Sequence, residues 1–261
     1  MKQSVFFTVD AAILSLILFV ACVLMVIAGK GVRNKFLRTD ETESKGGVNA
    51  LLGALFGLWG FLLAFTFGNV STRFESVRAS MVEEANIIRT VILRVETFPD
   101  SIQDGFRDEV EKYLQARIDY YAHAEDSEKF NKSKQDAVEI GKRLWTRTVD
   151  ASHLPNLSLV ANTMLTSLAA MYDVGARRDT MLMSGLPRPI RYMLFFMAMV
   201  ISFVGGFTSP VLKTKEWVVI TGFIFLACLI IYITLDMARP MRGFIRPDVE
   251  QEKIIQLQKL L

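Results

Sequence analysis

Apolar and polar positions in this chain are sorted first into long blocks and only then into faces. Val48 to Val70 is an uncharged run of 23 residues, and it passes without a proline or turn signal into a charged helical pattern that begins at Ser71. At about 1.5 Å per residue the run reaches about 34 Å, enough for a hydrocarbon core of about 30 Å. The pattern predicts a membrane span that continues as a helix out of the membrane. Three further windows without a charge, Ala11–Gly29, Met193–Leu212 and Trp217–Leu235, predict three more spans and place both termini on one side. Ala11–Gly29 reads as a retained first helix rather than a leader. Its apolar run is longer than a usual signal core, and Lys2 is the only basic side chain before it.

Between the second and third spans the period changes to that of amphipathic helices. Met81, Ala85, Ile88, Ile92 and Val95 recur at helical spacing up to Phe98, and Pro99 breaks the run. Asp100 or Ser101 is expected to cap a helix carrying Phe106, Val110, Leu114, Ile118 and Tyr121 on one stripe. Residues 123–134 are polar and aperiodic and read as a loop, with Ser133 or Asp136 opening a helix that aligns Ala137, Ile140, Leu144 and Trp145. After Pro155 and Asn156, the positions Val160, Met164, Leu168, Met171 and Gly175 share a face, and the tail from Val249 aligns Ile254, Leu257 and Leu261. The charged connector 30–47 reads as an exposed loop.

The expected fold is an all-α membrane protein with four transmembrane helices and a helical cytosolic region between the second and third. The divisions are 1–70 for the first two spans and their loop, 71–189 for the helical region, 190–236 for the last two spans and 237–261 for the tail. Hydrophobic residues make up 51% of the 261, too many for an ordinary soluble domain of this length. The net charge of +3 gives no reason to expect nucleic acid as a partner. Arginines gather on the side of the middle segment and termini, among them Arg73, Arg78, Arg177, Arg178, Arg188 and Arg191. Their excess over the opposite loops favours that side as cytoplasmic, although the first loop, with Lys30, Arg33, Lys35, Arg38 and Lys45, is itself basic.

Within the second span, Gly53, Gly57, Gly60, Ala64 and Gly68 fall in one narrow stripe, with Gly53 and Gly57 in the spacing that lets helices approach closely. Ala54, Leu58, Phe61, Phe65, Asn69 and Thr72 form the adjoining face. If copies of the helix surround an axis, this face lines a hydrophobic constriction that opens into a polar vestibule. The plainer alternative is that the rings face lipid and the glycines pack the bundle, and residue types alone leave both open.

Candidates for catalysis are few. His123 and His153 stand in loop-like segments with no cysteine or carboxylate at ligand spacing, and Cys22 and Cys228 lie inside apolar spans. Glu83–Glu84 and Glu109–Glu111 read as solvated or ion-paired helix faces. No phosphate-binding loop, dinucleotide fingerprint or hydrolase motif occurs, and neither an enzyme nor a cofactor is expected. The spans carry no ionisable side chain between their ends, and Asp236 sits at the end of the fourth. That argues against a proton-coupled carrier and leaves a passive pore, a sensor or a scaffold.

Phe61 to Phe74, FLLAFTFGNVSTRF, resembles the neck helix of the bestrophin anion channels, with Phe61, Phe65, Arg73 and Phe74 matching its pattern without a gap. More broadly, residues 81–100, the Leu144–Trp145 helix, the Asn162–Met164 region and the exit Asp236, Pro240, Gly243 resemble the bestrophin-like domain family of bacterial membrane proteins. This resemblance implies a homopentamer in the bacterial inner membrane, with second spans lining a chloride-permeable axis. Gly57, Phe61 and Phe65 would form the neck, with Asn69 and Thr72 at its polar mouth and Arg73 and Arg78 attracting anions. Gly57 stands where a third bulky neck residue is usual. MARPMRGFIRPD after the fourth span is basic, so the acidic calcium clasp of animal bestrophins is not carried over. The alternative function is a non-conducting sensor or scaffold acting through its cytosolic helices.

Overall fold

A computed structural model describes residues 10–36, 45–123, 126–183, 185–208 and 214–261. Among them the chain is helical: α1 (Ala11–Phe36), α2 (Lys45–Val95), α3 (Asp100–Ala122), α4 (Ser127–Ser152), α5 (Ser158–Met183), α6 (Arg188–Thr208), α7 (Thr214–Met237) and α8 (Asp248–Gln256), with a 3-10 turn over Leu257–Leu260. Parts of α1, α2, α6 and α7 are long and apolar enough to cross a membrane, and the protein is an all-α membrane protein with four such helices. The apolar block of α2 ends at Val70, and the helix itself runs on for 25 more residues to Val95. The chain divides into two compact units, Met1–Thr72 with Gly185–Ala238, and Arg73–Ser184 with Arg239–Leu261.

The first unit is built on residues that repeat every three or four positions. Leu18, Cys22 and Val26 of α1 meet Leu194, Ala198 and Ile201 of α6 and Ile224, Cys228 and Ile231 of α7 in one core, to which α2 contributes Trp59 and Leu63. Glycine decides how closely α1 and α6 approach. A methyl at Gly206 would strike the backbone of Val26, and one at Gly29 would strike the carbonyl of Phe203. Only small residues permit such backbone contact between membrane helices. Arg33 then caps the end of α6, its Nη1 donating to the Thr208 carbonyl at 2.9 Å.

In the second unit Ile88, Val91, Ile92 and Val95 of α2 are buried with Phe106, Val110 and Leu114 of α3, Leu144 of α4, and Met164, Leu168 and Met171 of α5. α3 packs on α4, and α4 on α5. The tail closes this core, with Ile254 and Leu257 buried in it and Leu261 partly so.

Several boundaries differ from the expectation. The segment read as a loop over 123–134 is helical from Ser127, with 124–125 outside the described residues. The Asp126 side chain accepts from the Glu128 and Lys129 amides at 3.1 and 3.2 Å, so α4 opens at an aspartate cap well before Ser133. Its first turns show little apolar period because they face water, apart from Phe130 against the Tyr120 ring at 4.4 Å. Neither Asp100 nor Ser101 caps α3. Pro99, in an extended conformation, holds the cap position, and its carbonyl accepts from the amides of Ile102 and Gln103. The second-span helix ends at Val95 rather than Phe98. The connector read over 30–47 is helical at both ends, up to Phe36 and from Lys45, and 37–44 lie outside the described residues. α6 begins at Arg188, before the expected Met193, while the end of that window, 209–212, is likewise outside them.

Candidate ion pathway and buried charge cluster

Along the apolar part of α2 the buried positions are Trp59, Leu63, Thr66 and Val70, a single stripe set by spacings of three and four. The rest of the circumference is largely uncovered. Phe61 and Phe65 are 66% and 58% exposed, stacked one turn apart with centroids 6.4 Å apart and planes 19° apart. Gly57, Asn69 and Thr72 are exposed too. A methyl built on Gly53, Gly57, Gly60 or Gly68 would meet nothing within 4 Å among the described residues. Among the described residues no close helix packing is made at this stripe, and Gly29 and Gly206 make the close approaches instead.

Arg73 and Arg78 belong to the second unit. Arg73 Nη2 donates to the Met181 carbonyl. Arg78 is held between Glu75, at 2.9 Å, and Glu250, at 2.8 Å, two carboxylates that offset its charge and hold its pKa above the ordinary arginine value.

The second unit also encloses charge: Glu83 and Glu84 are both ion-paired, one of the two readings expected of them, but the burial of Glu84 was not expected. Glu83 faces outward and pairs with Arg177 at 3.4 Å, but Glu84 is fully buried. Its Oε1 accepts from Arg117 Nε at 2.7 Å, and its Oε2 lies 2.6 Å from Arg178 Nη1. Arg117 reaches Asp179 at 3.3 Å, and Lys134 reaches the other Asp179 oxygen at 3.5 Å. Both guanidinium groups lie over the Tyr120 ring, at 5.0 and 5.6 Å from its centroid. Burial disfavours the charged form of Glu84, yet Arg178 and Arg117 outweigh it and hold the carboxyl below its ordinary range. The signal for this cluster was present. Glu84 continues the stripe of Met81 and Ile88, Arg117 that of Val110 and Leu114, and Arg178 that of Met171 and Gly175. A charge at a core position of an amphipathic helix calls for buried partners.

Beside the cluster lies an open cavity of about 960 Å³ between α3, α4 and α5. Tyr113, Arg117, Lys134 and Asp179 line its polar part, and Ala137, Trp145 and Tyr172 its apolar part.

Four apolar helices, an exposed aromatic pair on the second and a helical unit inserted between the second and third form a recognisable combination. Residues 6–249 match the profile of the family described as Bestrophin-like domain. The chain belongs to the Bestrophin-like family. Comparison with curated proteins finds no match. Two crystal structures of a bacterial bestrophin homologue from Klebsiella pneumoniae share the fold. One carries a tyrosine-to-alanine mutation, with a TM-score of 0.64, 11% identity, and coverage of 93% of this chain and 98% of that one. The other carries a tryptophan-to-alanine mutation, with a TM-score of 0.66, 10% identity, and coverage of 96% of this chain and 99% of that one. At such low identity the bestrophin fold is shared, while the side chains of α2 stand on their own geometry.

Proposed function

We propose that this bestrophin-like protein is a homo-oligomeric anion channel, most simply a pentamer, that conducts chloride passively through a neck formed by α2. The reading rests on one observation within a family that includes anion channels. The stacked Phe61 and Phe65 rings and the glycine stripe of the same helix occupy a surface that the described residues of the chain leave uncovered. Rings of Phe61 and Phe65 around an axis keep a narrow pore dry, and a small expansion wets it. Gly57 sets the width one turn before them, Asn69 offers its side-chain amide to an ion that has passed, and Thr72 does so by turning its hydroxyl away from the Gly68 carbonyl, to which it donates at 3.0 Å. Arg73 and Arg78 raise the local anion concentration by their field. The contribution of Arg78 is reduced by Glu75 and Glu250, which already bind it.

The middle region and termini are assigned to the cytosol of a bacterial inner membrane. Thiol labelling from outside intact cells tests this, with Thr42→Cys reacting and Asn131→Cys protected. Reaction at position 131 alone would reverse the assignment.

Recording of the purified protein in a planar bilayer under a chloride gradient tests conduction. Currents should reverse near the chloride potential, grow in Phe61→Ala, and lose selectivity before they lose amplitude in Arg73→Glu. Silence from the wild type and Phe61→Ala, in protein shown to be folded and assembled, would turn the reading to a non-conducting sensor or scaffold. That protein would act through residues 71–189.

A further inference from the structure

We propose that the cavity between α3, α4 and α5 binds a small carboxylate carried on an aromatic or alicyclic body. Its volume of about 960 Å³ falls within the range of small-molecule sites, about 300 to 1,000 Å³. Small residues contribute to its lining on two of the three helices: Ala137 and Gly141 on α4, and Ala169, Gly175 and Ala176 on α5.

Gly175 locates the head group. A methyl on it would lie 3.7 Å from Tyr113 Oη and 3.7 Å from Arg117 Nη2, so both donors border the space above this glycine. Tyr113 is 4% exposed, and no described residue hydrogen-bonds its hydroxyl. Burial pushes that phenol up to about 12, which keeps it a donor near neutral pH. Arg117 spends its Nε on Glu84 but reaches Asp179 only at 3.3 and 3.4 Å, and Lys134 reaches Asp179 at 3.5 Å. These long contacts leave donor capacity for another acceptor. A charged oxygen in this part of the cavity can accept from the Tyr113 hydroxyl and from Arg117 Nη2 together.

The rest of the cavity selects the body. The Trp145 ring stands 6.3 Å from Tyr172, and Tyr172 stands 6.5 Å from Tyr113. The Tyr172 hydroxyl donates to the Gly141 carbonyl at 2.6 Å, which fixes that ring. Trp145 and Val138 remain 39% and 52% exposed, an apolar wall without cover. Aromatic walls also suit organic cations. The charge balance decides against one: Arg117, Lys134 and Lys142 line the cavity against Asp173 and Asp179, and Glu84 and Arg178 behind it cancel.

Equilibrium dialysis tests this with the full-length protein in lipid nanodiscs, 2-naphthoate as probe and protein-free nanodiscs as background. The expected result is saturable binding of one naphthoate per chain, with neither acetate nor 2-naphthylmethylammonium competing. Tyr113→Phe should weaken it about 3- to 10-fold, the size of one lost hydrogen bond. Gly175→Ala should weaken it more, because the added methyl narrows the space between Tyr113 Oη and Arg117 Nη2 and crowds the head group, while alanine favours the helix. Both variants are first checked for an unchanged unfolding temperature. Absence of saturable binding, equal binding by both folded variants, or displacement by the ammonium probe would overturn the assignment. Binding is read without current, so its failure leaves the channel reading standing, and the reverse also holds.

Discussion

The two stretches of α2 solve different problems with the same backbone. Up to Val70 the helix commits a narrow stripe to its own chain and leaves glycines and phenylalanines uncovered. From Phe74 to Val95 it buries Val77, Met81, Ala85, Ile88, Val91 and Ile92, together with the carboxylate of Glu84. The difference follows from the surroundings each stretch has to satisfy. In lipid, an uncovered phenylalanine costs little, so packing there depends on shape and close approach. In water, apolar surface must be buried, and a charge drawn in with it must bring its counter-charges. Exposure of a residue in the first stretch therefore marks an opportunity for a neighbour, whereas burial in the second marks a constraint on folding.

That contrast breaks most visibly at Glu84. Glu84→Ala leaves Arg117 and Arg178 buried without their shared carboxylate and should cost about 3–5 kcal/mol. Thermal unfolding in detergent measures it, and a cost below about 1 kcal/mol would show that water or a relaxed packing already neutralises the arginines. The same group predicts an acid dependence. With its folded pKa depressed, Glu84 contributes fully above its ordinary value of 4.5. The contribution is lost as pH falls through the lower folded value. The unfolding temperature of the wild type should thus drop on acidification below that range, and drop less in Glu84→Gln.

Gly206→Ala should come next, at about 1–3 kcal/mol, because its methyl meets the Val26 backbone and only a shift of α1 or α6 relieves it. Unfolding in detergent again reports the loss. Asp126→Ala removes the acceptor for the first amides of α4 and should lower the unfolding temperature measurably, but by less than Gly206→Ala does. Gly57→Ala should change the stability of the chain least, within about 0.5 kcal/mol, since its methyl meets open space. Light scattering on the detergent-solubilised protein sharpens the comparison there. Loss of assembly in Gly57→Ala, with Gly206→Ala still assembled, would place a neighbouring copy on this face.

Much of this architecture was legible because it depends on runs and periods. A block of apolar residues long enough to cross a bilayer needs no tertiary information, and Met164, Leu168 and Met171 announce a buried face by spacing alone. The opening of α4 was missed because its first turns are solvated, and an aspartate cap carries a weaker signal than an apolar stripe. Glu84 was read with Glu83 as one charged face, although the two stand about 100° apart on the helix. The pairing of Glu84 with arginines 33 and 94 residues onward depends on how three helices meet.

By itself the sequence determined that the chain enters a membrane four times, that a polar helical region separates the second span from the third, and that Phe61 and Phe65 share a face. Those properties follow from hydropathy and helix geometry, which act locally. Only the tertiary structure decided which face of α2 remains uncovered, that Gly29 and Gly206 rather than Gly53 and Gly57 make the close approach within the chain, and that Glu84, Arg117 and Arg178 meet. Each of these depends on distance between segments far apart in the chain, where shape and charge compensation outweigh any residue's own preference.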